Sequence, residues 1–162
     1  MGWFEQHASY LGRLVGNLLS IEMGARMTIV KLDAWAAKHV NSQLPQIQAG
    51  QLVELNAFTK PDDLRQTLEK FNKHASPACR VEVDALVELR DSLAHGRMFG
   101  YGDMNVNPLR LLKFARTATD GKVLVEQAHD MTESWFQSNI QMLQAALEKI
   151  RVTLDYEQRN LD

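Results

Sequence analysis

Three residues in the stretch ELRDSLAHG, positions 88–96, have side chains that could carry chemistry: Arg90, Asp91 and His95. Asp91 precedes His95 by four positions, so on a helix the two side chains lie on the same side. A carboxylate in that position orients an imidazole ring and favours its protonated form. What the guanidinium of Arg90 could do depends on its neighbours on the same helix.

A helical projection at about 100° per residue places Arg90 at the centre of an apolar stripe. The apolar residues within roughly 60° of Arg90 are Val83, Leu86, Val87, Leu93 and Ala94, and the opposite side holds Asp84, Glu88, Asp91 and Ser92. An arginine in such a stripe must extend its charge to solvent, pair with a buried carboxylate, or face a partner or ligand. Unpaired burial would cost several kcal/mol, so the position requires a reason.

The projection also separates Arg90 from His95 by about 140°. The two side chains therefore do not share a face of an unbroken helix. They could meet only if the helix ends at His95, or if a second copy of the chain brings its own pair alongside.

A purely structural interpretation stays open at this point. An Arg and a His at this spacing are expected by chance in roughly one chain in three of this composition. His95 could be a cation at a helix C-terminus, interacting with the helix dipole. Arg90 could bury its stem and pair with a core carboxylate such as Glu22.

The composition bounds what the whole chain can be. With 162 residues, 45% of them hydrophobic and 23% charged, it fits a single globular domain over residues 1–162. The net charge of −2 argues against a general nucleic-acid coat. The single cysteine, Cys79, excludes an intramolecular disulfide and a thiol-based metal site. Neither a signal peptide nor a membrane-spanning run is recognisable, and we expect a cytoplasmic protein with no membrane partner.

Helical periodicity dominates the first two thirds of the chain. Residues about 4–43 predict one long helix or two stacked helices, with a kink or break near positions 20–26. A short helix is expected around positions 51–58. The stretch 59–74 predicts a clearer helix with Pro61 in its first turn. The next helix covers about 80–95, and Gly96 is expected to stop it.

The pattern changes after Gly96. Positions 96–108 are glycine-rich and predict a loop, followed by two apolar strands at 109–116 and 122–127. The Asp-Gly pair between the strands is typical of a β-hairpin turn. A long final helix is expected from Thr132. The fold class predicted is therefore mainly all-α, with a β-hairpin inserted near residues 109–127.

The residues LRDSLAHGR resemble the motif of the HEPN superfamily, small helical-bundle proteins of bacteria, archaea and eukaryotes. Its active members carry an arginine, a polar residue, a few variable positions and a histidine, matched here by Arg90, Asp91 and His95. The motif match covers some ten residues, and the similar order of elements covers most of the chain. The resemblance implies an up-and-down helical bundle in which the motif helices of two protomers face each other, which would explain a charge in the apolar stripe.

The resemblance implies metal-independent cleavage of RNA without a cofactor, in a toxin or defence setting. An RNA 2′-hydroxyl would attack the adjacent phosphate and leave a 2′,3′-cyclic end. His95 would be the general acid or base, because an imidazole exchanges protons near neutral pH. Arg90 would bind the phosphate and stabilise the transition state, and Asp91 would orient His95 or Arg90. The site would be composite, with both protomers of a homodimer contributing.

One branch of the family is neutralised by an antitoxin that modifies a tyrosine two residues after the histidine. Arg97 stands at that position here, although Tyr101 is nearby, so the sequence argues against this mode of regulation. An antitoxin or other regulatory protein is retained as a candidate partner. Many members are not catalytic. The alternative function is therefore a non-catalytic nucleotide- or protein-binding module using the same cleft, and a third is a purely structural helical dimer.

A basic segment follows the motif. Residues 96–122 carry a net charge of +3, and a surface of this kind next to the motif could bind an RNA backbone through Arg97, Arg110, Lys113 and Arg116, with Phe99 and Tyr101 stacking on bases. The alternative is a solvated hairpin with ordinary surface charges. The other four histidines, His129 among them, lack metal-ligand spacing and are expected on the surface or at caps. Trp135 is expected to anchor the core.

Overall fold

A computed structural model describes residues 3–32, 47–100 and 108–159 of the chain. In these ranges it contains four α-helices, one short 3-10 helix and one antiparallel sheet. The elements are α1 (Trp3–Lys31), α2 (Leu64–His74), the 3-10 helix Pro77–Cys79, α3 (Val83–His95), β1 (Arg97–Phe99), β2 (Leu109–Thr119), β3 (Lys122–Met131) and α4 (Glu133–Arg159). The expectation of a mainly helical protein with an inserted hairpin is confirmed.

Helix α1 accounts for most of the first predicted helical segment. It runs without interruption through positions 20–26, so of the predicted kink or break there, the break is wrong. Gly24 sits inside this stretch, where an added Cβ would lie 2.8 Å from Cγ2 of Ile150. The close approach of Ile150 therefore explains why a glycine stands at this position. The end of the predicted segment, positions 33–43, lies outside the described residues.

The short helix predicted at positions 51–58 is not formed. Residues 51–55 have no regular structure, and a turn follows at 56–60. The side-chain oxygen of Asn56 accepts hydrogen bonds from the backbone N–H groups of Phe58, at 2.8 Å, and Thr59, at 3.1 Å. These local bonds satisfy backbone donors in a turn and compete with helix formation.

Helix α2 begins later than the sequence pattern indicates. Asp63 is its N-cap, and its side chain accepts from the backbone N–H of Gln66 while the Gln66 side chain accepts from the backbone N–H of Asp63. This reciprocal capping box fixes the start of the helix at Leu64. Pro61 consequently lies outside the helix, and its predicted place in the first turn is wrong.

The hairpin formed by β2 and β3 closes as the Asp-Gly pair predicts. Asp120 and Gly121 both have positive φ angles, 51° and 72°, as a type I′ turn requires. The strands pair from Leu109 opposite Met131 to Thr119 opposite Lys122, with irregularities next to Phe114. The predicted loop at 96–108 is wrong for its first residues, because β1 pairs antiparallel with β2. Positions 101–107 lie outside the described residues.

The last helix begins where the sequence places it. The hydroxyl oxygen of Thr132 accepts from the backbone N–H of Trp135 at 3.1 Å, which caps the first turn of α4.

The chain divides into two compact units, Met1–Leu18 with Asp84–Leu143 and Leu19–Val83 with Gln144–Asp162. The core of the first unit contains Leu14, Leu18, Leu86, Leu89, Leu111, Met131, Phe136, Ile140 and Leu143. The core of the second contains Ile21, Ala25, Val30, Leu64, Leu68, Phe71, Val81, Ala146 and Ile150. The single domain over residues 1–162 stays a prediction. None of the helices among the described residues is long and apolar enough to cross a membrane.

Candidate functional site

Helix α3 presents a different face to the core from the one around Arg90. Its buried residues are Leu86, Leu89 and Ser92, which centre about 100° away from Arg90 on an ideal helix. Ser92 thus lies on the buried face, although the projection places it opposite the apolar stripe. Its hydroxyl lies 2.7 Å from the backbone carbonyl of Glu88, one helical turn earlier, and this contact satisfies a small polar group inside a core.

Arg90 is half exposed and paired. Its Nη1 lies 2.8 Å from Oδ1 of Asp91, and the two side chains are 36% and 30% exposed. Two apolar members of the same stripe, Val87 and Leu93, are also only half-buried. The core carboxylate considered as a partner, Glu22, instead forms an ion pair with Arg26 at 2.9 Å. Arg90 thus keeps part of its guanidinium at the surface, amid apolar side chains that the core leaves partly uncovered.

Asp91 does not pair with His95, although the spacing of four positions allows it. Its carboxylate is engaged by Arg90, the preceding residue. Of the two roles inferred for Asp91, the contact with Arg90 is the one that the structure forms.

His95 is the last residue of α3, and it is exposed. Within the part of the chain that the structure describes, its ring makes no hydrogen bond or ion pair. The expected helix stop at Gly96 is confirmed, and the backbone N–H of Gly96 donates to the carbonyl of Ser92 at 2.8 Å. A Cβ at Gly96 would lie 2.2 Å from that carbonyl oxygen and 2.6 Å from Cδ1 of Leu111. Gly96 is therefore required because β2 approaches closely at this point. The imidazole of His95 lies at the end of the helix.

The helix geometry keeps Arg90 and His95 apart within one chain. Because α3 is α-helical through His95, their Cα positions differ by about 140° around the axis and by about 7.5 Å along it. Both side chains are accessible, but they leave the helix in different directions. A site that uses both on one phosphate needs the helix end to bring them together or a second copy to complete it.

Two of the basic residues predicted for RNA binding lie close to carboxylates. Nε of Arg110 lies 3.9 Å from Oδ1 of Asp130, and Nζ of Lys113 lies 3.4 Å from Oε2 of Glu126. Both carboxylates come from β3, so the hairpin brings acidic groups to the basic strand. The positive charge counted along the sequence is consequently reduced on the folded surface.

The sheet separates these residues between its two faces. Arg97 pairs across the strands with Leu112, and Phe99 pairs with Arg110, so Arg97, Phe99 and Arg110 share one face. Lys113 lies on the other face. The guanidinium of Arg97 also lies 5.2 Å from the ring centroid of Phe114, a cation–π contact.

Two further residues, Arg116 and Tyr101, were predicted to bind RNA. Arg116 is exposed near the end of the hairpin. Tyr101 lies outside the described residues.

A cavity of about 250 Å³ lies on the opposite side of α3 from Arg90. Its polar lining comes from Glu88, Ser92, Gln127, His129 and Asn139, with the ring of Trp135 beside them. None of these residues was singled out by sequence reasoning. His129 was expected on the surface or at a cap and Trp135 in the core; both are half-buried and line this cavity.

One feature of the sequence could have indicated the cavity. The lining residues of α4, Trp135, Asn139 and Met142, are spaced four and three apart, as are Ala85, Leu89 and Ser92 on α3. Such spacing places each set on one helix face. It is common to all amphipathic helices, however, and it does not show that two such faces enclose a space.

Among the described residues, no group of three or more His, Cys, Asp or Glu side chains could hold a metal ion. Comparison of the chain with known protein families, with curated proteins and with solved structures finds no match.

Proposed function

We propose that this chain is a HEPN-like, metal-independent endoribonuclease that acts as a homodimer in a cytoplasmic toxin or defence system. The observation that carries the proposal is the state of the motif at the end of α3. Arg90 is held half exposed by Asp91, and His95 is exposed at the helix terminus. A purely structural arginine would instead be closed off in a buried salt bridge.

Cleavage of RNA by 2′-hydroxyl attack requires a base, an acid and a fixed positive charge. A base removes the proton from an RNA 2′-hydroxyl, whose oxygen bonds to the adjacent phosphorus as the bond to the 5′-oxygen breaks. The leaving 5′-oxygen takes up a proton, and the products are a 2′,3′-cyclic phosphate and a 5′-hydroxyl. His95 is the proton-transfer group, and the guanidinium of Arg90 stabilises the charge that builds on the phosphate oxygens.

The half-buried stripe on α3 supports a second copy in the site. Val87 and Leu93 flank Arg90 and are not fully covered by the rest of their unit. Packing this stripe against the same stripe of a partner would bury them and bring two arginines and two histidines into one cleft. The partners of the protein are then a second copy, an RNA substrate and an antitoxin or regulatory protein.

The decisive experiment is cleavage of labelled RNA by the purified full chain in EDTA. We expect fragments with 2′,3′-cyclic ends, and loss of cleavage in Arg90→Ala and His95→Ala with unchanged circular dichroism. The chain offers matched controls. His74→Ala removes an exposed histidine that also ends its helix, and Arg65→Ala removes an arginine paired with Glu69 on α2. Full cleavage by both site variants would refute the site assignment.

One observation favours the alternative, a non-catalytic nucleotide- or protein-binding module. The guanidinium of Arg90 already has a carboxylate partner, which reduces its positive potential towards a phosphate. This function predicts intact RNA in the same assay, together with thermal stabilisation by a nucleotide or a partner protein.

A further inference from the structure

The cavity behind α3 has a lining with a definite chemical character. It is open to solvent on one side, its lining residues on α3, β3 and α4 all belong to the first unit, and Arg90 and His95 do not line it. Ligand binding in this cavity is therefore independent of the proposed ribonuclease activity. Leu89 and Met142 supply apolar surface, and the polar groups are gathered around Glu88.

A hydrogen-bond network fixes the carboxylate of Glu88. The amide nitrogen of Gln127 donates to Oε1 of Glu88, and the amide oxygen of Gln127 contacts the hydroxyl of Ser92. Ser92 is only 2% exposed. Both ends of the glutamine amide are therefore engaged, and they orient the carboxylate from a buried anchor.

The lining as a whole is rich in hydrogen-bond acceptors. Glu88 is its charged side chain, and a carboxylate has capacity for further hydrogen bonds after one from Gln127. Asn139 donates its amide nitrogen to the backbone carbonyl of Trp135 at 2.8 Å, which leaves its Oδ1 as an acceptor. This arrangement disfavours anions and favours groups that donate hydrogen bonds.

The indole of Trp135 lines the cavity together with these acceptors. Its ring centroid lies 6.1 Å from that of His129, at an interplanar angle of 37°. Aromatic faces of this kind bind planar groups and cations. The cavity volume of about 250 Å³ is below the 300–1,000 Å³ range typical of sites for drug-sized ligands, so a group of about one ring system fits it.

We propose that this cavity binds a small planar ligand that presents two adjacent N–H donors to the carboxylate of Glu88 and stacks on Trp135. The donor pair matches the two oxygens of a carboxylate, as in bidentate arginine–carboxylate contacts. Two sources carry this chemistry: amidinium or guanidinium cations, and the Watson–Crick edge of guanine.

The test measures the binding of two pairs of probes to the full chain by calorimetry and by tryptophan fluorescence. Benzamidine is compared with neutral benzamide, and guanosine is compared with inosine, which lacks the exocyclic amino group. We expect at least one of benzamidine and guanosine to bind about tenfold or more tightly than its matched analogue. Binding of benzamidine alone identifies an organic cation as the ligand class, and binding of guanosine alone identifies a guanine base.

Two variants connect the binding to this cavity. Glu88→Gln should weaken binding at least tenfold. Glu82 is an exposed glutamate outside the lining, so Glu82→Gln should leave binding unchanged. Ala85→Leu fills part of the cavity and should abolish binding. It provides an independent test if the Glu88→Gln variant loses stability. The proposal is overturned if neither probe binds, if the matched analogues bind equally well, or if binding persists in Ala85→Leu.

Discussion

The guanidinium of Arg90 lies 2.8 Å from the carboxylate of Asp91, its immediate neighbour on α3. Adjacent residues point about 100° apart on a helix, so the long arginine side chain must bend around the helix surface to make this contact. The ion pair takes up the carboxylate that sequence spacing assigns to His95. In the proposed enzyme, Asp91 is therefore a positioning residue for Arg90.

The first prediction concerns Asp91. We expect Asp91→Ala to lower kcat/KM for RNA cleavage about tenfold, because Arg90 loses the partner that orders it. The free energy of unfolding should fall by less than about 1 kcal/mol, since a partly exposed ion pair contributes little to stability. Steady-state kinetics and urea unfolding separate the two effects, and Asp91→Asn should recover part of the rate through its amide oxygen. A large loss of stability with unchanged kinetics would contradict the positioning role.

The second prediction tests the composite site. Equal amounts of Arg90→Ala and His95→Ala chains, each inactive alone, should regain cleavage when they are unfolded and refolded together. Random association makes half of the dimers mixed. If Arg90 of one protomer works with His95 of its partner, each mixed dimer has one intact site. We therefore expect about a quarter of the wild-type rate. No recovery, with mixed dimers verified by mass spectrometry, would place both residues of one site on the same chain.

The third prediction concerns the junction between α3 and β1. Gly96→Ala would place a Cβ 2.2 Å from the carbonyl oxygen of Ser92, a backbone atom that cannot move without distorting the helix end. We expect a loss of about 2–3 kcal/mol in the free energy of unfolding. Chemical denaturation gives this value directly.

The matched control is Gly12→Ala, where nothing lies within 4 Å of the added methyl group. Gly12 is exposed inside α1, and alanine is favoured over glycine in a helix by about 0.5–1 kcal/mol. The two alanine substitutions should therefore shift stability in opposite directions. Equal effects would contradict the packing at Gly96.

The fourth prediction is a pH dependence of stability at Asp62. A hydrogen bond from the Lys70 ammonium lowers the pKa of the Asp62 carboxyl below its ordinary value of 3.8, against the opposing effect of burial. A carboxyl with a lowered pKa in the folded state stabilises the protein above that ordinary value. The contribution is lost as the pH falls from 3.8 through the folded-state pKa.

Asp62→Asn should therefore reduce stability at pH 6, and the difference from the wild type should shrink as the pH is lowered below 3.8. Thermal unfolding at a series of pH values measures this difference. Glu69→Gln serves as the control, because the ion pair of Glu69 with Arg65 spans 3.9 Å between two exposed side chains. An Asp62→Asn effect that does not change with pH would show that the carboxylate is not ionised preferentially in the folded state.

Local patterns were enough to predict much of the fold. The Asp-Gly hairpin turn, the end of α3 at Gly96 and the start of α4 after Thr132 all follow from backbone preferences or caps over a few residues. The same reasoning was wrong at positions 51–58, where the Asn56 side chain satisfies the backbone in a turn. It also missed β1, which is stabilised by its pairing with β2 and not by its own sequence.

The sequence by itself determined that Arg90, Asp91 and His95 lie on one helix, that Arg90 lies in an apolar stripe, and that Gly96 ends the helix after His95. Only the tertiary structure decided which side of α3 faces the core, that Asp91 is taken by Arg90, and that β3 supplies carboxylates to Arg110 and Lys113. The cavity around Glu88 also belongs to this second group. The physical reason is that helical spacing fixes directions around one axis, whereas burial, ion pairing and enclosed space depend on side chains that other elements bring from distant parts of the chain.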